Sequence, residues 1–127
     1  MEDKVSMSHE DYLEAIVMIG GTTEQSVRSV DVANKLGVSK ASVNKAVGLL
    51  REKGYAIQPY YGDITLTEKG YEYGKAVLER HHYLTSFLVK AIGIDEETAE
   101  EEACLMEHAI SDSSSEKWKA YIKGLNL

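Results

Sequence analysis

The chain has 127 residues, of which 43% are hydrophobic and 28% charged, and its formal net charge is −7. This length allows one or two small domains with a modest core, and the apolar content excludes an intrinsically disordered chain. No apolar run approaches the roughly 20 residues of a membrane span, no signal peptide opens the sequence, and one cysteine excludes an internal disulfide, so we expect a cytoplasmic protein.

The charge is divided unevenly along the chain. Residues 28–60 carry a net charge of +4, whereas residues 94–107 carry −7. A basic segment suits the phosphates of a nucleic acid, and an acidic segment suits cations, although most of these acidic side chains can also serve only to solvate a helix. The asymmetry indicates separate roles for the two segments.

The first predicted element is a helix. Apolar residues recur with helical spacing over residues 12–19, Ser8 is a candidate cap, and two consecutive glycines end the run. Residues 22–26 are polar and predict a loop.

The next two predicted elements form a helix-turn-helix. A short helix over residues 29–36 begins at a capping residue, Ser29, and ends at Gly37. After a tight connection, Ser39 can cap a third helix over residues 40–53. Two helices joined by a short turn with glycine are typical of DNA-binding proteins.

The remaining elements are a hairpin and three helices. The periodicity changes to about 2 around residues 55–57 and 64–66, which predicts two strands and completes a winged helix. A long helix follows over roughly residues 67–91. An acidic helix then begins at residue 95, and a last short helix covers residues 112–123.

The acidic helix carries a candidate metal-ligand set. Cys104, Glu107 and His108 are spaced i, i+3 and i+4, so a thiol, a carboxylate and an imidazole share one helical face. Three further candidate ligands lie on two other predicted helices: Asp11, Glu14 and His81. Together with the basic helix-turn-helix, this set predicts a metal-sensing transcriptional regulator.

Other interpretations of these residues stay open. A lone cysteine such as Cys104 is commonly a buried apolar residue, and it can also offer its backbone carbonyl in place of sulfur. Glu14 can be a solvated helix residue. Three more side chains are weaker candidate ligands that can equally be surface groups: His9, His82 and Glu100.

Three other functions compete with a metal sensor. A metalloenzyme can use the same ligand types, but the sequence has no H-E-x-x-H motif, and we expect no enzyme. The alternatives are a winged-helix regulator that responds to a non-metal signal, and a protein-interaction module on the same scaffold. The basic middle segment argues against the module.

Five stretches, in order along nearly the whole chain, resemble the diphtheria toxin repressor and manganese transport regulator family of metal-dependent repressors: residues 10–16, 38–45, 66–70, 80–88 and 102–108. The resemblance implies a mainly α fold, with a winged-helix domain over residues 1–72 and a helical metal-binding and dimerisation domain over residues 73–127, as in the two-domain members. It also implies a homodimer that binds double-stranded operator DNA and represses metal-uptake genes, with neither a membrane nor a small-molecule substrate as partner.

The family's metal ligands can be carried over to named positions, which the resemblance places at Asp11, Glu14, His81, Cys104, Glu107 and His108. Asp11 is similar to manganese-type members, since iron-type members carry methionine there. Cys104 is similar to iron-type members and replaces a glutamate. Carboxylates suit Mn(II), whereas a thiolate favours softer ions. We therefore expect Mn(II) or Fe(II) as effector, and binding of Co(II), Ni(II) or Zn(II) in vitro.

The third helix is the predicted recognition helix. Such a helix places its N-terminal residues in the major groove, which here are Ser39, Lys40, Ser42, Asn44 and Lys45. Contacts to the DNA backbone are predicted for Arg28, Ser29, Tyr60 and Tyr61, although the two tyrosines can equally be packing residues.

Overall fold

The computed structural model describes residues 7–58 and 63–127. The chain divides into two compact units between Ala76 and Val77. This division falls within a long helix, about one turn beyond the boundary predicted at residue 72. None of the helices in the described ranges is long and apolar enough to cross a membrane.

In chain order the elements are α1 (Met7–Met18), β1 (Val27–Arg28), α2 (Ser29–Leu36), α3 (Lys40–Glu52), β2 (Ala56–Ile57), β3 (Asp63–Leu66), α4 (Glu68–Phe87), a π-helical segment (Leu88–Ile92), α5 (Glu96–Ala109) and α6 (Asp112–Gly124). The predicted mainly α fold with an N-terminal winged helix-turn-helix is confirmed. The predicted cap at Ser8 is wrong, because Ser8 lies inside α1.

The helix-turn-helix is formed by α2, the turn at Gly37, and α3. Gly37 adopts a left-handed conformation (φ +68°), which a residue with a side chain rarely does, and its N–H donates to Ala33. The Ser39 hydroxyl accepts from the N–H of Ser42 at 3.1 Å and caps α3, as predicted. The predicted cap at Ser29 is wrong, because Ser29 is already helical and Arg28 precedes it without a capping hydrogen bond.

The three strands form one antiparallel sheet in the order β1-β3-β2. Val27 pairs with Ile64, and Ala56 pairs with Leu66, so the two predicted strands of the wing do pair. The sequence did not predict β1, because two residues are too few for an alternating pattern.

The core of the first unit lies between α1, α2, α3 and the sheet. Its largest fully buried side chains are Leu13, Ile16, Val32, Val43, Val47, Leu50, Tyr55, Ile64 and Leu66. The start of α4 closes on this core through Gly70, where an added Cβ would lie 1.8 Å from the carbonyl oxygen of Tyr55. A backbone approach this close requires glycine.

The second unit contains the end of α4, the π-helical segment, α5 and α6. Its buried apolar core is small and consists of Leu84, Leu88, Ala99 and Ala103. Phe87 and Trp118 pack beside it edge to face, with ring centroids 5.9 Å apart. Asp95 caps α5 by accepting from the N–H of Thr98, and this hydrogen bond lowers the pKa of Asp95.

Candidate metal site and nucleic-acid interface

Three predicted ligands come together on α5. One ligand atom from each of Cys104, Glu107 and His108 lies within 4.8 Å of the others. Metal–ligand bonds are about 2.0–2.3 Å long, so two ligands of one ion are about 3–4.5 Å apart. The i, i+3, i+4 spacing in the sequence therefore produces the predicted grouping on one helical face.

Glu107 is the centre of this group. Its side chain is 0% exposed, and its Oε1 lies 3.3 Å from Nδ1 of His81 and 3.9 Å from Nε2 of His108. Within the described part of the chain, neither carboxylate oxygen of Glu107 accepts a hydrogen bond. A buried carboxylate without a donor is unfavourable, and a cation beside it compensates the cost. The donor set of thiol, carboxylate and imidazoles thus fits a divalent transition metal.

His81 reaches the same carboxylate from α4. Its side chain is 12% exposed, and its second ring nitrogen, Nε2, lies 2.6 Å from Oε2 of Glu100 on α5. The neighbouring His82 is exposed. Of these adjacent histidines, His81 is the one for which the structure shows a contact with Glu107.

Arg80 forms hydrogen bonds to the backbone beside the candidate ligands, and the sequence analysis did not predict this role. The buried guanidinium donates to the carbonyl oxygens of Glu107 (3.2 Å) and Ile110 (3.1 Å), and it pairs with Asp112 at 2.9 Å. Arg80 therefore holds the C-terminal end of α5 and the first residue of α6. An arginine on an amphipathic helix is usually solvated, and only its position directly before His81 hints at this role.

The two remaining predicted ligands belong to the first unit. Asp11 and Glu14 lie three residues apart on α1, so their side chains share one face of that helix. Asp11 is half-buried, and Glu14 is buried.

The predicted recognition helix, α3, carries an exposed polar N-terminal half. Its exposed members are Ser39, Lys40, Ser42 and Lys45. Asn44 is half-buried, and its Oδ1 accepts a hydrogen bond from the Ser29 hydroxyl at 2.9 Å. Asn44 is thereby linked to the start of α2.

Of the predicted backbone contacts, Arg28 is exposed and forms an ion pair with Asp31 at 3.4 Å. The Ser29 side chain is 0% exposed, so it packs inside the unit and offers no surface to DNA in this conformation. The polar character of Ser29 suggested a surface contact, but its hydroxyl is used to hold Asn44. Tyr60 and Tyr61 lie outside the described residues.

Two family models match the chain, one after the other. The N-terminal DNA-binding domain of iron-dependent repressors matches residues 4–63. The metal-binding and dimerisation domain of iron-dependent repressors matches residues 67–126. The family resemblance predicted from the five sequence stretches is confirmed.

Curated relatives are transcriptional regulators. An HTH-type transcriptional regulator of Methanocaldococcus jannaschii is 39% identical over 120 residues, which are 94% of this chain and 95% of the relative. The HTH-type transcriptional regulator MntR of Bacillus subtilis is 37% identical over 111 residues, which are 87% of this chain and 76% of the relative.

Solved structures share the fold. A manganese-dependent transcriptional repressor in complex with manganese has a TM-score of 0.76 and 28% identity, and the match covers 91% of this chain but 52% of that protein. A hypothetical protein of Sulfolobus solfataricus has a TM-score of 0.66 and 25% identity. That match covers 93% of this chain and 89% of the Sulfolobus protein. The chain thus spans about half the length of the manganese-dependent repressor and nearly all of the Sulfolobus protein.

Proposed function

This chain belongs to the iron-dependent repressor family and is a metal-responsive transcriptional repressor with a DNA-binding and a dimerisation domain, and we propose that the ion it senses, in the cytoplasm, is Mn(II) or Fe(II). The observation that carries the proposal is the buried carboxylate of Glu107, which lies 3.3 Å from a nitrogen of His81 and 3.9 Å from a nitrogen of His108 but accepts no hydrogen bond in the described structure. Such a group needs a positive charge beside it, and a bound divalent metal supplies that charge.

The proposed ligand set contains three kinds of metal-binding group, which differ in hardness: carboxylate, imidazole and thiolate. Glu107 is the shared carboxylate, the imidazoles are those of His81 and His108, and Cys104 contributes sulfur. From the family resemblance we propose that Asp11 and Glu14 complete the set. Three carboxylates favour Mn(II), while a thiolate improves the affinity for Fe(II) and other softer ions.

The proposed response is a population shift. Metal binding neutralises the buried carboxylate and stabilises the conformers in which the ligands are close together, which are the conformers that we expect to bind DNA. In a homodimer, two recognition helices read successive major grooves about 34 Å apart. By linkage, operator DNA tightens metal binding by the same factor by which metal tightens DNA binding.

On the DNA side, we propose that Lys40, Ser42 and Lys45 of α3 face the major groove and that Arg28 contacts a phosphate. These four side chains are exposed and lie at or near helix N-termini. Uptake genes for the sensed metal are the proposed targets.

The experiment that tests this function is a titration of metal-stripped protein with Mn(II), Fe(II), Co(II) and Zn(II). Calorimetry gives the stoichiometry, and retention of random DNA duplexes at fixed salt gives the DNA affinity. We expect sequence-selective retention only with metal, and we expect His108→Ala to abolish the metal dependence. The exposed neighbour of His81 provides a matched control, since His82→Ala should respond to metal as the unaltered protein does.

Two results would contradict the proposal. Equal DNA retention with and without metal would point to a winged-helix regulator of another signal. A His108→Ala protein with full metal-stimulated DNA affinity would remove the assigned site.

A further inference from the structure

His81 lies between two carboxylates that have different environments. Nδ1 lies 3.3 Å from Oε1 of Glu107, and Nε2 lies 2.6 Å from Oε2 of Glu100. Glu107 is fully buried, whereas 59% of the Glu100 side chain is exposed. The imidazole therefore has one edge toward the candidate ligand group and the other toward a carboxylate at the surface.

The two contacts differ in what they require of the ring. The 2.6 Å contact between Nε2 and Oε2 is a short hydrogen bond, and an ionised carboxylate can only accept, so Nε2 carries the proton and donates to Glu100. A neutral imidazole has one N–H. A proton on Nε2 therefore leaves a lone pair on Nδ1, which is the nitrogen beside Glu107.

A metal ligand must present this kind of lone pair. Histidines that bind metals commonly donate their other ring N–H to a carboxylate, which fixes the tautomer and the ring orientation and increases ligand basicity. From this geometry we propose that Glu100 is a positioning residue, which holds His81 as the Nε2–H tautomer so that Nδ1 is the metal-binding atom. The inference rests on the proposed function, but it assigns Glu100 a role outside the ligand set.

The hydrogen bond can be tested in metal-free protein. Long-range ¹H–¹⁵N correlation spectra of the full chain, recorded at alkaline pH, report the protonated nitrogen of each histidine. We expect His81 as the Nε2–H tautomer, and a mixture of tautomers in Glu100→Ala. Glu101→Ala removes an adjacent exposed acid of the same helix and should leave the His81 signals unchanged.

The consequence for binding can be tested with Mn(II) alone. Loss of a supporting carboxylate typically weakens metal binding about 10- to 100-fold. We expect Glu100→Ala to weaken one Mn(II)-binding step by that factor in calorimetry, while the metal-free protein keeps a cooperative thermal transition. Glu100→Gln keeps an oxygen that accepts from Nε2–H, so its tautomer should be preserved and its affinity should be intermediate.

Two outcomes would overturn the inference. An unchanged His81 tautomer and an unchanged Mn(II) affinity in Glu100→Ala would remove the positioning role. In the second outcome, Glu100→Gln and Glu100→Ala both lose one Mn(II)-binding step completely, while both keep the Nε2–H tautomer of His81 without metal. Glu100 would then be a direct metal ligand. Failure of the proposed function would give a different result, because the unaltered protein would then bind no Mn(II). The His81 tautomer is measured without metal and does not depend on that result.

Discussion

The two units of the chain bury different kinds of side chain. The first unit encloses a continuous apolar core contributed by three helices and a sheet. The second has a smaller buried apolar cluster, and it buries a guanidinium, a carboxylate and an imidazole at Arg80, Glu107 and His108. The first unit also buries two carboxylates, Glu10 and Glu14, but beside a much larger apolar core. Apolar burial stabilises a fold without any partner, whereas buried ionisable groups need compensation. The comparison teaches that stability of the second unit should depend on bound metal far more than stability of the first.

The largest expected effect is on the first unit, at Gly70. Gly70→Ala places a Cβ 1.8 Å from a backbone oxygen of Tyr55, and backbone cannot move aside as a flexible side chain can. We expect a loss of about 3 kcal/mol or more in the free energy of unfolding, measured by urea denaturation. Added Mn(II) should not remove this loss relative to the unaltered protein, because the defect is a backbone clash at a position without a proposed ligand.

A glycine in the recognition helix serves as the matched control. An added Cβ at Gly48 of α3 meets nothing within 4 Å. Gly48→Ala should therefore stabilise the protein by about 0.5–1 kcal/mol through its helix propensity. Equal effects of the two substitutions would show that the close approach at Gly70 is not present in solution.

The second prediction sharpens the difference between the units at Glu107. Glu107→Gln removes a buried charge that has no hydrogen-bond donor in the described structure, and its amide can donate to Nδ1 of His81. We expect the metal-free protein to gain about 1–3 kcal/mol in unfolding free energy. The same substitution should abolish the rise in melting temperature that Mn(II) produces in the unaltered protein.

These opposite signs identify a ligand. A Glu107→Gln protein that is less stable without metal and is still stabilised by Mn(II) would show that Glu107 is an ordinary structural residue. The contrast between the two units would then fail at its central side chain.

The smallest predicted effect concerns the cap of α3. Ser39→Ala removes the acceptor of the Ser42 N–H and should cost about 1 kcal/mol in unfolding free energy. Ser39→Asp keeps an acceptor and should restore most of it. The cost of Ser39→Ala relative to the unaltered protein should be the same with and without Mn(II), because α3 carries no proposed ligand, and a cost that Mn(II) removes would contradict this.

Much of this architecture could be predicted from local patterns. Gly37 and Ser39 mark the turn of the helix-turn-helix, and the spacing of Cys104, Glu107 and His108 placed them on one helical face. Each of these features depends only on residues a few positions apart, which is the range over which helical geometry acts.

What could not be predicted depends on residues far apart in the chain. The hydrogen bond between Ser29 and Asn44 joins two helices, and it makes a predicted DNA contact a buried group. The contacts of Arg80 with Glu107 span 27 positions. No local sequence pattern predicts either pair of partners, because tertiary packing determines which residues meet.

The hydrogen bonds of Arg80 also make a mechanical connection. One guanidinium holds the carbonyl oxygen of Glu107 and the carboxylate of Asp112, with which α6 begins. A displacement of the α5 backbone at Glu107 therefore strains or breaks the hydrogen bond between Arg80 and Asp112 at the start of α6. Glu107, a proposed metal ligand, is thus connected through the Arg80 side chain to a helix that carries no predicted ligand of its own.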